Sequence, residues 1–579
     1  MRFLPAASWL RSYDRADLRP DLAAGITIAA MLVPQGMAYA LLAGLPPEVG
    51  LYAATVPVLV YALLGTSRQL AVGPVAIVSL LTASALAPIV EEGSASYLAA
   101  AAVLALLVGV IHLVLGFGRL GFLVNLLSHS VLIGFTAAAA IIIGFSQVKH
   151  VLGVAVPRQE QFVDTVRAVG EQLGDIHGPT LAIGVASLVV LLAAKRVMPR
   201  LPAALLVVAG STLAVDLLDL EAEGVAVVGD IPDSLPVFGI PDASGSLMAD
   251  LAVAAVVITV VGFMESIAVA KVYARRHRYD LDPDQELIGL GAANVASGLF
   301  GGYPVTGGFS RTAVNDTAGA RTPLASVVTA VLVLITIALL TPLLVSLPKA
   351  ALGAVIMVAV AGLIDVGEMR HIASVKRSDL IGMGVAFVAT LALGIEIGIV
   401  LAVVASMLVV FARMSRPHTA VLGRIDGTTS YRNISRFPEA VVPRDVTVLR
   451  IDASLSFVNA ANVKATLIAA ADAAPAAVVL DASGINDIDA TGVEALRDVL
   501  TECADRGVPL HIADVKGPVR DVLHRSGLWT ELADRLHPTT HDGVEAALGR
   551  DAVVHGDQRG RGLDERALLT PSTRSNPRA

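Results

Sequence analysis

From about Asp21 to Phe411 the chain is a succession of apolar runs with short polar breaks, and after Arg413 it changes to the ordinary mixture of a water-soluble fold. A helix needs roughly 20 apolar residues to cross the ~30 Å hydrocarbon layer of a bilayer, so the first stretch reads as a multi-span membrane domain. Apolar segments fall at 22–43, 49–64, 71–88, 97–116, 129–148, 179–195, 202–218, 250–271, 286–300, 308–318, 323–345, 349–364, 379–394 and 396–412, which makes fourteen. Several are too short, or too interrupted by glycine and proline, to be simple rods. From Asp445 the period shortens: VTVLRID, SFVNA, AAVVLDAS and PLHIADV alternate with helical stretches at 460–473, 491–506 and 516–526. That alternation predicts an α/β domain around a small sheet. The expected plan is a lead-in at 1–20, a membrane domain at 21–413, a linker at 414–444, the α/β domain at 445–550 and a disordered polar tail at 551–579.

Composition agrees with the pattern. Of the 579 residues 55% are hydrophobic and only 16% charged, and the mean hydropathy of +0.72 lies far from soluble chains. The net charge of −8 says little, because orientation depends on where the basic residues sit. With the N-terminus inside, even-numbered spans end in the cytoplasm, and there stand Arg68, Arg119, Lys195 with Arg196 and Arg200, Lys271 with Arg275, Arg276 and Arg278, Arg321, Lys376 with Arg377, and Arg413 with Arg416. The opposite loops carry Glu48, Glu91, Glu92 and an acidic stretch from Asp216 to Asp250, although Lys149, Arg158 and Arg167 share one of them. Both termini are therefore expected in the cytoplasm of a cell-membrane protein. The N-terminal segment is broken by Pro5 and lacks a small-residue cleavage site, so it reads as a lead-in and not a signal peptide. The single cysteine, Cys503, excludes an intrachain disulfide and any multi-cysteine metal site.

Two irregular segments match one another. The third span opens as QLAVGPVAIVSL and the tenth as GGYPVTGGFSRTAVND, each a glycine- and proline-marked approach to a short helical run. Pro74 and Gly308 lie 234 positions apart, and Gln35 and Glu265 lie 230 apart. Two halves of seven spans must run in opposite directions, which is the plan of an inverted-repeat transporter. Non-helical backbone in hydrocarbon is costly unless it lines a cavity or is buried in protein. Two helix N-termini facing one another, each with about half a positive charge and unpaired N–H groups, make an anion cradle.

The polar residues near these openings each have two readings. Arg311 is a fixed charge for an anion, or a residue that snorkels to water. Ser310 donates to the ligand, or only caps its helix. Glu265, deep in AVVITVVGFMESIAVAKVYA, is protonated, binds sodium or neutralises Arg311, or forms a structural ion pair with Lys271 or Arg311. Gln35, just after Pro34, is a ligand group or a helix–helix hydrogen bond, and Tyr39, one turn on, is a pocket wall or core.

The segments VPQGMAYALLAGLPPEVGLYAATVPVLVYALLGTSRQLAVGPVA, GFMESIAVAKVYA and GGYPVTGGFSRTAVN closely resemble motifs of the SulP family of sulfate permeases and solute-carrier anion transporters, and the resemblance runs to about residue 550. It implies a seven-plus-seven inverted repeat, core and gate domains in an elevator-like cycle, and a homodimer. It further implies a substrate site at Val75, Ala76, Phe309, Ser310 and Arg311 with Gln35 and Tyr39 on the first span, and an acidic coupling position at Glu265. Glutamate there is more like the proton-coupled members than the sodium-coupled ones that carry aspartate. VVLDASGINDIDATGVEAL resembles the signature of a STAS domain, in which the serine phosphorylated in anti-sigma-factor antagonists is replaced here by Ala490, with Thr491 next. Alanine has no hydroxyl to phosphorylate, which argues against phosphoregulation by that route, and a structural or partner-docking role for a cytosolic protein competes with it.

No P-loop, dinucleotide fingerprint or catalytic constellation is present, so neither an enzyme nor a nucleic-acid partner is expected, and no cofactor beyond a coupling H+ or Na+. The expectation is secondary transport of a small inorganic oxyanion, sulfate or bicarbonate. Its competitors are an uncoupled or exchanging chloride or dicarboxylate carrier and an anion-sensing membrane receptor.

Overall fold

The computed structural model describes residues 5–122, 129–156, 161–197, 203–229, 234–473 and 476–550. The tail expected at 551–579, and Arg158 and Arg200 of the charge pattern, lie outside the described residues. The chain divides into two compact units, Met1–Val409 and Val410–Ala579.

In the first unit a short helix α1 (Ala6–Arg11) precedes α2 (Leu18–Leu42), which runs through Pro34 without breaking. The second span is two pieces, α3 (Pro47–Tyr52) and α4 (Val56–Leu64), each with proline in its first turn; the pattern had read it as one run. Proline is tolerated there because the first N–H groups of a helix have no intrahelical acceptor. Next come β1 (Val72–Gly73), α5 (Ala76–Leu86), α6 (Ala95–Phe117), α7 (His129–Ser146), α8 (Val148–Leu152), α9 (Phe162–Glu171), α10 (Gly178–Val197) and α11 (Ala203–Leu217). The second half repeats this order with α12 (Gly245–His277), α13 (Pro283–Leu299), β2 (Thr306–Gly307), α14 (Phe309–Thr317), α15 (Leu324–Ile335), α16 (Lys349–Ala361), α17 (Val366–Val375), α18 (Arg377–Leu393) and α19 (Ile395–Ser415). The eleventh span continues from α15 through a π turn at Thr336–Leu340 and a 3-10 turn at Thr341–Leu344. The polar helices α9 and α17 were not foreseen, since neither is apolar enough to register as a span.

The most extensive helix packing falls into two groups, which α2 joins through α16 and α11. In one, the core, α6 packs on α13 and α12, α4 on α13 and α15, and α2 on α15. In the other, the gate, α7 packs on α18 and α16, and α10 on α16, α8 and α11. The α6–α13 contact is closed by small residues, for a Cβ on Gly109 would lie 2.6 Å from the Val295 nitrogen and one on Gly291 2.9 Å from the Gly109 oxygen. Such close approach is how helices associate where lipid removes the hydrophobic drive. Large side chains that face away from the protein are themselves apolar, as at Val114, Val189, Val253 and Val388.

The second unit holds a six-stranded sheet in the order β4-β3-β5-β6-β7-β8, from β3 (Thr419–Arg424), β4 (Tyr431–Asn433), β5 (Val446–Ile451), β6 (Ala477–Asp481), β7 (Leu510–Ala513) and β8 (Leu536–His537). Strands β5 to β8 are parallel, and β3 pairs antiparallel with both β4 and β5. The 414–444 segment, expected as a linker, therefore supplies two strands of the sheet. Around the sheet lie α20 (Ala460–Asp472), α21 (Ala490–Asp505), α22 (Gly517–Arg525), α23 (Leu528–Glu531) and α24 (Thr540–Ala547). Alternation along the strands separates two cores. Leu449, Ile451, Val478 and Leu480 meet α20 and α21 through Leu467 and Leu496, while Val446, Val448, Ala477 and Val479 meet α24 through Val544.

Candidate anion site

The site is built where the two irregular spans meet. Helices α5 and α14 have 11 and 9 residues, so each covers only about 14–16 Å, half of a bilayer core. What precedes them is extended, and β1 and β2 join as an antiparallel pair with Val72 opposite Gly307 and Gly73 opposite Thr306. Gly73 has φ of +150°, a conformation that side chains rarely adopt.

Several backbone groups of these openings pair with buried side chains, as polar groups away from water require. Asn294 of α13 donates to the Val305 oxygen at 2.9 Å and accepts from its nitrogen at 2.8 Å. Ser266 of α12 accepts from the Gly307 nitrogen at 2.8 Å and shares a 2.6 Å bond with Thr306 Oγ1. Thr312 Oγ1 accepts from the Ala71 nitrogen at 3.0 Å, and Asn315 Nδ2 donates to the Gln69 oxygen at 2.9 Å. Ser79 of α5 bonds the Tyr303 hydroxyl at 2.8 Å. This network fixes the two helix starts against each other.

Those starts are left uncapped. Neither Val75 nor Gly308, the residues before α5 and α14, makes a side-chain cap. The first residues of both helices, Ala76 and Ile77 on one side and Phe309, Ser310 and Arg311 on the other, line one narrow cavity of about 30 Å³. Tyr39 of α2 and Glu265 of α12 face the same space, and Ala359, Val360 and Leu363 close it from α16 and the turn after it. A space of this size holds one or two water-sized centres.

Arg311 is 1% exposed. Its Nη1 donates to the Pro74 oxygen, while Nε and Nη2 have no protein partner. The guanidinium lies against Gly308, where an added Cβ would sit 3.1 Å from Nη2 and 3.2 Å from Cζ. Burial this complete excludes the snorkelling alternative. Glu265 Oε2 is buried and also lacks a hydrogen-bond partner, and among the described residues no ion pair joins Glu265 to Lys271 or Arg311. Phe309 is half open, at 52% exposed.

The structure thus gathers Tyr39, Val75, Ala76, Glu265, Phe309, Ser310 and Arg311 around one cavity. Gln35 stands apart: it is 6% exposed with its Oε1 unpaired, but it does not line the cavity, which reaches Tyr39 and stops a turn short. The lining residues on α16 were not anticipated, since an alanine or valine in an apolar span carries no distinguishing signal. In the second unit Thr491 is exposed in the first turn of α21, beside Asp489, which caps that helix through the Gly492 nitrogen at 2.8 Å and also accepts from the Phe457 nitrogen at 2.8 Å.

A fourteen-segment helical unit in which two half-helices meet at a cavity lined by a buried arginine is the architecture of a multi-pass membrane transporter. The chain belongs to the sulfate permease family, whose profile matches residues 18–386, with a STAS domain at 437–543. It is 38% identical over 568 residues to sulfate transporter 4.1, chloroplastic, of Arabidopsis thaliana, covering 94% of this chain and 82% of that one. It is 37% identical to the "Probable sulfate transporter MT1781" of Mycobacterium tuberculosis, covering 94% and 97%. The structure of the murine Solute Carrier 26 family member A9 anion transporter in the inward-facing state superposes with a TM-score of 0.88 at 26% identity, over 95% of this chain and 94% of that one. The transmembrane domain of a cyanobacterium bicarbonate transporter, BicA, shares the fold with a TM-score of 0.59 at 22% identity, over 68% of this chain and 98% of that one.

Proposed function

We propose that this protein carries a small inorganic oxyanion, sulfate or bicarbonate, across a cell membrane by an elevator-like movement, with a proton or sodium ion coupled through Glu265. The supporting observation is the meeting of two uncapped helix starts and the buried Arg311 in one cavity of about 30 Å³. That size favours a compact ion over a dicarboxylate. Sulfate is the first candidate, because relatives 37–38% identical over 94% of the chain bear that name.

Charge balance supplies the coupling. Arg311 and two helix starts together offer about two positive charges, enough for a dianion only when Glu265 is not also negative. A proton or a sodium ion on Glu265 restores the balance, so substrate and coupling ion bind better together than apart. With both bound, the net charge that must move through hydrocarbon is small. In this reading both termini are cytoplasmic, the protein is a homodimer, and the STAS domain offers a surface to a cytosolic protein.

The test is uptake into proteoliposomes of labelled sulfate, bicarbonate, chloride and a dicarboxylate, with and without proton and sodium gradients. Sulfate or bicarbonate uptake is expected to accelerate with one inward cation gradient, and Glu265→Gln to remove the acceleration while sparing binding. Uptake of chloride alone, insensitive to either gradient, would replace symport by an uncoupled carrier. Binding without flux of any anion would leave a receptor.

A further inference from the structure

A second cavity, of about 310 Å³, lies in the C-terminal unit, and nothing in the transport site uses it. One wall is the end of β5. Arg450 donates through Nε and Nη2 to the two carboxylate oxygens of Asp452, at 2.6 and 3.2 Å, and His418 Nδ1 lies 3.0 Å from Asp452 Oδ2. Those bonds hold the Asp452 carboxyl below the usual carboxylate range. The carboxylate is thereby consumed within the wall, and it fixes the position of the Arg450 guanidinium.

The opposite wall is the turn that ends β4. The Asn433 carbonyl accepts the N–H groups of Arg436 and Phe437 at 3.0 and 2.9 Å, and its Oδ1 accepts from the Ser435 nitrogen at 2.9 Å. Arg436 and Phe437 therefore stand as a fixed pair next to Arg432. Neither Arg432 nor Arg436 has a carboxylate partner among the described residues. Three guanidinium groups converge on a space that contains one carboxylate, in a chain whose net charge is −8. Such a concave positive patch concentrates anions, and the guanidinium fork matches phosphate oxygens two at a time. The volume exceeds what a bare ion needs and reaches the range of small-ligand sites, with the Phe437 ring as an apolar side.

We propose that this cavity binds a phosphate monoester, its oxygens taken by Arg432 and Arg436 and by Arg450 as oriented by Asp452. Two sources share that chemistry: a free phosphorylated metabolite, and the headgroup of a lipid such as phosphatidic acid. The second is included because His418, in the cavity wall, follows the last residue of α19, Ser415, by three positions in the chain.

The experiment uses the full chain in phosphatidylcholine nanodiscs, titrated calorimetrically with sn-glycerol 3-phosphate. Saturable binding is expected, weakened about tenfold or more by the double variant Arg432→Ala/Arg436→Ala and unchanged by Arg311→Ala, which separates it from the transport site. Arg432→Lys/Arg436→Lys, which keeps charge but loses the fork, is expected to fall between the two. In a second arm, nanodiscs containing phosphatidic acid are compared with phosphatidylcholine discs by hydrogen exchange over 432–437. Protection in the wild type and not in the alanine variant, together with loss of glycerol 3-phosphate binding, assigns the lipid as the source. Binding that is equal in the wild type and the alanine variant overturns the proposal, as does the absence of both saturable binding and lipid-dependent protection.

Discussion

Two glutamates of the membrane unit, Glu286 and Glu265, each place carboxylate oxygen in the protein interior and are treated in opposite ways. Glu286, at the start of α13, is 1% exposed and fully engaged. Its Oε1 accepts from the Thr66 nitrogen at 2.6 Å, the Thr66 hydroxyl at 2.6 Å and the Ser67 nitrogen at 2.9 Å, and its Oε2 from the Tyr61 hydroxyl at 2.7 Å. The carboxylate ties the end of α4 to α13 across the repeat. Glu265 keeps a buried oxygen with no partner, on the wall of a cavity that also holds two unpaired nitrogens of Arg311. Burial alone thus does not mark a working group. A satisfied carboxylate is a joint, and an unsatisfied one has capacity left for a proton or an ion.

Removing each group should separate the two roles. Glu286→Ala strips four donors of their acceptor and is expected to destabilise the folded protein by about 3–5 kcal/mol, seen as a large fall in the detergent melting temperature. A loss below about 1 kcal/mol would erase the distinction from Glu265. Arg311→Ala comes next: it should weaken sulfate binding by about 10- to 100-fold, the worth of charge-assisted hydrogen bonds in a dry site, with far less effect on melting. Equal affinity, measured by equilibrium binding, would remove Arg311 from the cradle. Glu265→Gln is expected to leave melting within about 1 kcal/mol of wild type, because the carboxylate it alters holds no partner in place; an effect as large as that of Glu286→Ala would make it a joint as well.

What the sequence showed follows from which signals are local. Hydropathy is local, so each of the fourteen segments coincides with a helix or helix run to within a few residues, and the matched glycine-proline openings located both half-helices. Glu265 stood out because its neighbours are apolar. Glu286 did not, for its partners Tyr61, Thr66 and Ser67 lie about 220 positions away and nothing near it signals them. The same distance hid the bond from Arg311 to Pro74, 237 positions apart. Strand β3 escaped notice because it follows a membrane helix within four residues, and β4 because it has only three residues. Gln35 shows the limit of helical spacing as an argument: it shares a face with Tyr39, but the cavity spans only one turn of that face.

The smallest expected effect concerns the glycine under the guanidinium. Gly308 has φ of −96° and ψ of 129°, an extended conformation open to any residue, so its backbone does not require glycine. Space does. A methyl group there would press on Arg311 Nη2 at 3.1 Å, on Cζ at 3.2 Å and on Val75 Cγ1 at 3.3 Å. Arg311 also donates to the Pro74 oxygen and lines the cavity, so a guanidinium displaced by the methyl group alters the cavity wall. Gly308→Ala should therefore lower anion affinity by roughly three- to tenfold, about 1 kcal/mol, while melting changes little, since no hydrogen bond is lost. The comparison that decides it is Gly308→Ala in an Arg311→Ala background, where the methyl group meets no guanidinium. If the affinity loss persists there, the alanine acts on the helix start itself; if it vanishes, the glycine serves to let Arg311 lie flat across the two openings.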